Sequence, residues 1–125
     1  MHITTQLSDE LSRYLDLSEL ELKLTAQNMA NVDVPGYRTV GFDFAEEMER
    51  SMNDVLAERR GAKLTKPGVN VLKVDGLIER PDGNNVSMDR EGMKMAEAQL
   101  QFHIGEELIK NEFSTILDAI HADAK

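Results

Sequence analysis

Leu24-Thr25-Ala26-Gln27-Asn28-Met29-Ala30-Asn31-Val32-Asp33-Val34-Pro35-Gly36-Tyr37-Arg38 is the stretch on which the reading of this chain turns. Asn31 and Asp33 accept irregular backbone geometry at a helix end, and Pro35 both ends the hydrogen-bond ladder and pushes Val34 out of the helical region. Val34-Pro35-Gly36-Tyr37 then suits a type II turn, with proline setting φ at the second position and glycine accepting positive φ at the third. Upstream, neither Pro nor Gly interrupts Gln6 to Val32. Leu11, Leu15, Leu22, Met29 and Val32 fall on one helical face, and Leu7, Tyr14, Leu17 and Leu24 on an adjacent one. Such a helix is roughly 40 Å long, suited to packing lengthwise against others.

A second breaker, Pro81-Asp82-Gly83-Asn84-Asn85, precedes a second long helix. Ser87 or Asp89 is placed to cap it, and it should run close to His121, with Met93, Ala96, Leu100, Ile104 and Leu108 on one stripe. Phe102, Ile109, Phe113, Ile116 and Ile120 form another, and Gly92 and Gly105 each weaken the helix by about 1 kcal/mol relative to alanine. The middle holds a shorter amphipathic pattern, Phe44, Met48, Met52, Val55 and Leu56, ending near Gly61. From Lys63 to Arg80 alternation around Val69 and Val71, with turn signals at Pro67-Gly68 and Asp75-Gly76, suits one or two short strands or a loop that orders on contact.

The expected fold is therefore mainly α: two long antiparallel terminal helices forming a coiled-coil-like unit, around a loop-rich middle with a short helix and room for short strands. Residues 1–34 and 87–125 make up one domain built from both ends, and 35–86 the middle segment. Its core is thin for 125 residues, so independent stability should be marginal unless partners cover the apolar stripes.

Charge narrows the partners. The ends carry six acids against two bases and eight against four, the middle nine against eight, for a net charge of -9. Acidic helices disfavour nucleic acid and anionic lipid. Cysteine is absent, which excludes disulfides and thiolate sites. The first fifteen residues lack the pattern of a cleavable signal, and no apolar stretch approaches membrane-spanning length, which suggests a cytoplasmic protein or export without a cleaved signal.

No catalytic or metal constellation is spelled out. His2, His103 and His121 share no ligand spacing, the carboxylate pairs Glu46 with Glu49 and Glu106 with Glu107 read as solvated helix faces, and Ser51, Ser87 and Ser114 lack a nucleophile context. His103, between Phe102 and Ile104, reads as a polar residue of the helix seam. No cofactor, metal or small-molecule substrate is expected. Thr25, Gln27, Asn28 and Asn31 crowd the end of the first helix, and two readings of them stand level: a capped helix end, or a polar key setting register in a bundle.

These same residues carry a family likeness. Ala30, Asn31, Pro35, Gly36 and Tyr37 match the A-N-x-x-T-P-G-Y signature of flagellar basal-body rod and hook proteins, which this chain resembles. Val34 stands where that family usually has Thr, losing a hydroxyl but keeping the β-branched shape favoured before proline. Asp82, Gly83, Asn84, Asp89 and Glu91 resemble the D-G-N-x-V-x-x-D-x-E segment that opens the C-terminal helix of proximal rod subunits, and there is no large inserted domain. The likeness covers both ends well and the middle poorly.

The resemblance implies a non-enzymatic structural subunit of the proximal rod in the periplasm, exported unfolded by the flagellar type III apparatus without a cleaved signal. Its implied partners are other rod subunits and membrane-ring or adaptor proteins at the rod base. The assembly positions expected on the helical stripes are Leu11, Leu15, Leu22, Met29, Leu100, Ile104, Leu108, Phe113 and Ile120. The competing expectation is a soluble helical adaptor that binds one cytoplasmic partner.

Overall fold

The computed structural model describes residues 4–64 and 68–124. Along the chain come α1 (Gln6–Ala30), β1 (Val40–Gly41), α2 (Phe44–Arg59), β2 (Leu72–Lys73) and α3 (Met88–Asp123). Each helix starts on a side-chain cap: Thr5 accepts from the Ser8 amide, Asp43 from Glu46 and Ser87 from Arg90. The Pro-Gly turn forms as its residues dictate, with the Tyr37 amide donating to the Val34 carbonyl at 3.2 Å and Gly36 at φ 74°.

α1 and α3 run antiparallel, and polar contacts along their length give the register. Thr5 Oγ1 donates to Glu112 Oε1 at 2.5 Å, Lys94 Nζ to Glu21 Oε1 at 3.2 Å, and Asn28 Nδ2 to Glu91 Oε2 at 3.0 Å. The buried positions of α3 are Glu91, Ala98 and Gly105, spaced by seven, which is the period of a coiled-coil seam. Facing them α1 buries Ser8, Leu11, Leu17, Ser18, Glu21, Leu24, Thr25 and Asn28. The seam is thus small and polar in large part, and the Ser18 hydroxyl is satisfied by donating to the Tyr14 carbonyl at 2.8 Å.

Small residues let the backbones approach, and at Gly105 the approach is close. A Cβ there would lie 2.7 Å from Leu15 Cδ2 and 3.0 Å from Tyr14 Cδ1. The glycine that weakens the helix by propensity is thereby accommodating α1.

This packing leaves the apolar stripes of α3 on the outside of the helix pair. Met93, Leu100, Ile104 and Leu108 turn away from α1, with Leu100 62% exposed, and Phe113 and Ile120 are about half exposed. The physical reason is that α3 places its smallest side chains and its Glu91 against α1, and one face of a helix cannot also present the leucines. His103 likewise lies on the exposed side, 3.4 Å from Glu106, rather than in the seam. On α1, Leu11 is buried while Leu15, Leu22 and Met29 flank the contact half-buried.

α2 lies against the first half of α1. Val55 is buried there, Phe44 meets Tyr14 edge to face at 5.6 Å, and Arg59 reaches Asp9 at 2.7 Å. The middle contributes one antiparallel ladder, Val40 opposite Lys73 and Gly41 opposite Leu72. Among the described residues the alternating run therefore yields a strand only at its end, paired with a partner at residues 40–41 that periodicity did not mark; the Pro67 turn signal lies outside the described residues.

Two substitutions in α3 should separate packing from propensity. Gly105→Leu should destabilise the chain by about 1–3 kcal/mol, because the seam is overfilled, whereas Gly92→Ala, whose Cβ would meet nothing within 4 Å, should stabilise it by up to about 1 kcal/mol. Urea unfolding followed by circular dichroism measures both, and equal effects would contradict the seam.

Candidate functional site

The two breaker motifs, far apart in sequence, close on each other at one end of the helix pair. The Gly36 amide donates to the Asp82 carbonyl at 2.9 Å, and the second turn is closed by the Gly83 amide donating to Arg80 and the Arg80 amide to Asn84, both at 2.9 Å. Gly83 also has positive φ, 83°, and a Cβ on it would meet Gly36 Cα at 3.4 Å. Gly83 lets the turns lie backbone against backbone, while Gly36 supplies the positive φ of its own turn.

Asn84 serves the end of α1 from the other motif. Its Nδ2 lies 2.8–3.0 Å from the carbonyls of Asn31, Val32 and Val34, acceptors that a helix terminus leaves without intrahelical donors, and its Oδ1 accepts from the Val86 amide at 2.8 Å. Arg80 donates to the Val32 carbonyl as well. Beside it Asn85 Oδ1 accepts from the Thr39 amide at 2.7 Å, and the Asn85 amide donates to the Tyr37 carbonyl at 3.4 Å. Both asparagines are buried with their side-chain oxygens occupied, so this Gly-Asn-Asn turn is a structural clasp.

One turn of helix earlier, Asn28 joins three segments. Its Nδ2 donates to the Val40 carbonyl at 2.8 Å and to Glu91; its Oδ1 accepts from the Tyr37 hydroxyl and from the Val40 amide, each at 3.0 Å. An amide has two donors and two acceptor positions, and here all four are used. Glu91 is fully buried, its other oxygen accepting from Arg90 at 2.6 Å. Both readings of the polar cluster are therefore realised, by different residues: Asn28 is the key across the bundle, whereas Asn31 caps, donating to the Gln27 carbonyl at 2.8 Å.

The junction gathers Asn31, Gly36, Tyr37, Asp82, Gly83, Asn84 and Glu91 of the expected motif residues. Ala30, Pro35 and Asp89 stay exposed at its edge. The assembly positions Leu100, Ile104, Leu108, Phe113 and Ile120 lie elsewhere, along α3. Sequence reading missed fully buried Thr39 and the role of Arg80; the position of Arg80 directly before Pro81 was the only local signal. Among the described residues no group of His, Asp or Glu could hold a metal ion.

Comparisons with known proteins find flagellar rod proteins. The chain is 29% identical over 119 residues to the flagellar basal body rod protein FlgB of Salmonella typhimurium, covering 85% of this chain and 86% of that one. It is 34% identical over 91 residues to FlgB of Proteus mirabilis, covering 62% and 65%, and 25% identical over 130 residues to that of Borrelia hermsii, covering 93% and 96%. These FlgB relatives, at 25–34% identity, are consistent with a chain of the FlgB type. No family model matches it. As a FlgB-type chain it is a structural subunit of the flagellar basal body rod. The two stretches that resemble the rod and hook family are the two turns that clasp each other here, so in this FlgB-type chain the signature has a physical content: it closes the open end of the helix pair.

Two changes probe the clasp. A Cβ at Gly36 meets no neighbour within 4 Å, so the effect of Gly36→Ala is the left-handed backbone alone, and it should lower stability by about 1–2 kcal/mol; an unchanged midpoint in a urea titration would contradict the turn. Burial pushes the Tyr37 hydroxyl above its ordinary value of 10.0. Because the folded pKa is the higher one, the contribution of this group is whole below the unfolded pKa and fades as pH rises through the folded value. Tyr37→Phe should therefore cost about 1 kcal/mol at pH 8 and flatten the alkaline loss of stability measured between roughly pH 9 and 11.

Proposed function

We propose that the chain is a subunit of the proximal part of the rod, that it polymerises there through its terminal helices, and that it has no catalytic activity. The observation that carries this reading is the exposed apolar row on α3, Leu100, Ile104 and Leu108, left outside a seam already filled by small and polar side chains. Fully burying one such side chain contributes about 1.5–3 kcal/mol, so a neighbour covering the row adds what the thin monomer core lacks. Leu11, Leu15, Leu22 and Met29 act from within the subunit, holding the helix pair in the shape that presents the row.

Torque in such a shaft passes through lateral packing of paired helices, and the unit that transmits it is one domain formed by residues 1–34 and 87–125. Residues 35–86 supply the clasp and α2. The partners in this reading are other rod subunits and membrane-ring or adaptor proteins at the rod base, with the flagellar type III apparatus delivering the chain. The buried carboxylates support a structural role, since Glu91 is held by Asn28 and Arg90, Glu47 by Arg50 and the Asn70 amide, and Glu21 by Lys94. A single-partner cytoplasmic adaptor finds no support among the relatives, which carry rod-protein names.

Replacing both Leu100 and Ile104 by Glu tests the reading. The double variant should keep the helical content and unfolding midpoint of the parent, because both side chains are already exposed, yet fail to restore swimming in cells deleted for the gene. Normal motility in soft agar would refute assembly through this row.

A further inference from the structure

Two surfaces at opposite ends of the helix pair match each other in chemistry. The first is a cleft of about 280 Å³ between the end of α1, the start of α3 and the β1–β2 ladder. Leu24, Val40, Phe42, Leu72 and Val74 give it one apolar wall, beside Thr25, Asn28 and charged groups, and Leu72 is 59% exposed. Among its charges, Lys94 is held by Glu21, Arg90 by Glu91, and Asp43 caps α2. Lys73 has no ion-pair partner among the described residues, which leaves one free positive charge at the rim. The volume lies at the small end for a cofactor site and suits a few side chains.

The second surface is the far end of α3. Glu112 already lies opposite Thr5 near the start of α1, and α3 runs on from there to Asp123. Phe113, Leu117 and Ile120 on this extension are each about half exposed, at the i, i+4, i+7 spacing with which an amphipathic helix anchors in a groove. From Asn111 to Asp123 there is no Lys or Arg, while Glu112, Asp118 and Asp123 are acidic.

We infer that the cleft receives the C-terminal helix end of an adjoining subunit, an acidic helix with apolar side chains at i, i+4 and i+7, of the same chemistry as residues 113–123 of this chain. The inference rests on the rod reading above and adds an axial contact to the lateral one. One subunit cannot satisfy itself, since the two surfaces are separated by the length of α1, roughly 37 Å for 25 residues. A contact between unlike ends is heterologous and propagates in one direction, as a shaft requires. The free Lys73 answers the acidic helix, and the apolar lining answers its three anchors.

A fluorescein-labelled peptide of residues 108–123, titrated into dilute full-length chain and followed by anisotropy, tests this. Binding should be saturable and should weaken at least about tenfold, the equivalent of losing one apolar anchor, with Leu72→Asp in the chain or Phe113→Asp in the peptide. Lys73→Glu should also weaken it, and more at low than at high salt. Leu72 and Lys73 are exposed, so circular dichroism should show both variants folded. Absent saturable binding, or binding indifferent to Leu72→Asp, overturns the cleft assignment. If the tagged chain nonetheless co-fractionates with basal bodies, the rod reading stands without it; failure to co-fractionate overturns the rod reading, and with it this assignment.

Discussion

The side-chain amide of Asn28 is the constraint on which the rest of the structure depends. It sits where α1, the strand segment after the Pro-Gly turn and α3 meet, and it bonds to all three. Around it the effective dielectric is low, so an unpaired donor or acceptor would be costly and a fully paired set fixes a unique arrangement. Glu91 could not be buried as it is without that amide and Arg90, and with Glu91 anchored the register of α3 against α1 follows. A shift of either helix by one turn would strand the carboxylate.

From that register the distribution of side chains follows. The seam is close at Ala98 and Gly105, where little apolar area is available to bury, so the monomer draws stability from backbone proximity, polar pairing and the clasp more than from a large core. The leucines that could have built a thicker core look outward. For a protein that works alone this would be a poor arrangement; for a basal-body rod subunit it leaves apolar surface available to neighbours. The local turn chemistry and the long-range clasp agree at Gly83, since the glycine that the second turn requires also permits the approach of the first.

Acidity at the helical ends is handled locally. Arg13 meets Glu58, Arg59 meets Asp9, and Lys94 meets Glu21, so most of the bases near α1 are engaged with acids of other elements. These surface pairs, unlike the buried Asn28–Glu91 contact, are partly exposed and typically contribute about 0–1 kcal/mol, which makes them guides for placing α2 and α3 rather than a main source of stability. Val55 and the Tyr14–Phe44 contact do more to hold α2 in place.

By itself the sequence determined the elements and their punctuation. The run free of Pro and Gly up to Val32, the Val34-Pro35-Gly36-Tyr37 turn and the Pro81 to Asn85 breaker are local signals, and local backbone sterics carry them out wherever the chain goes. Residue patterns also made the family legible, because Ala30, Asn31, Pro35, Gly36 and Tyr37 are side chains whose constraints are largely their own. Which face of α3 turns inward was decided only by tertiary structure. Periodicity ranks faces by hydrophobicity and so points to Leu100, Ile104 and Leu108, but the winning face is the one where Gly105 admits Leu15 and Glu91 finds Asn28, and that pairing spans 63 residues of chain. For the same reason the division of labour between Asn28 and Asn31, one turn apart, was settled only when α3 arrived beside one of them and not the other.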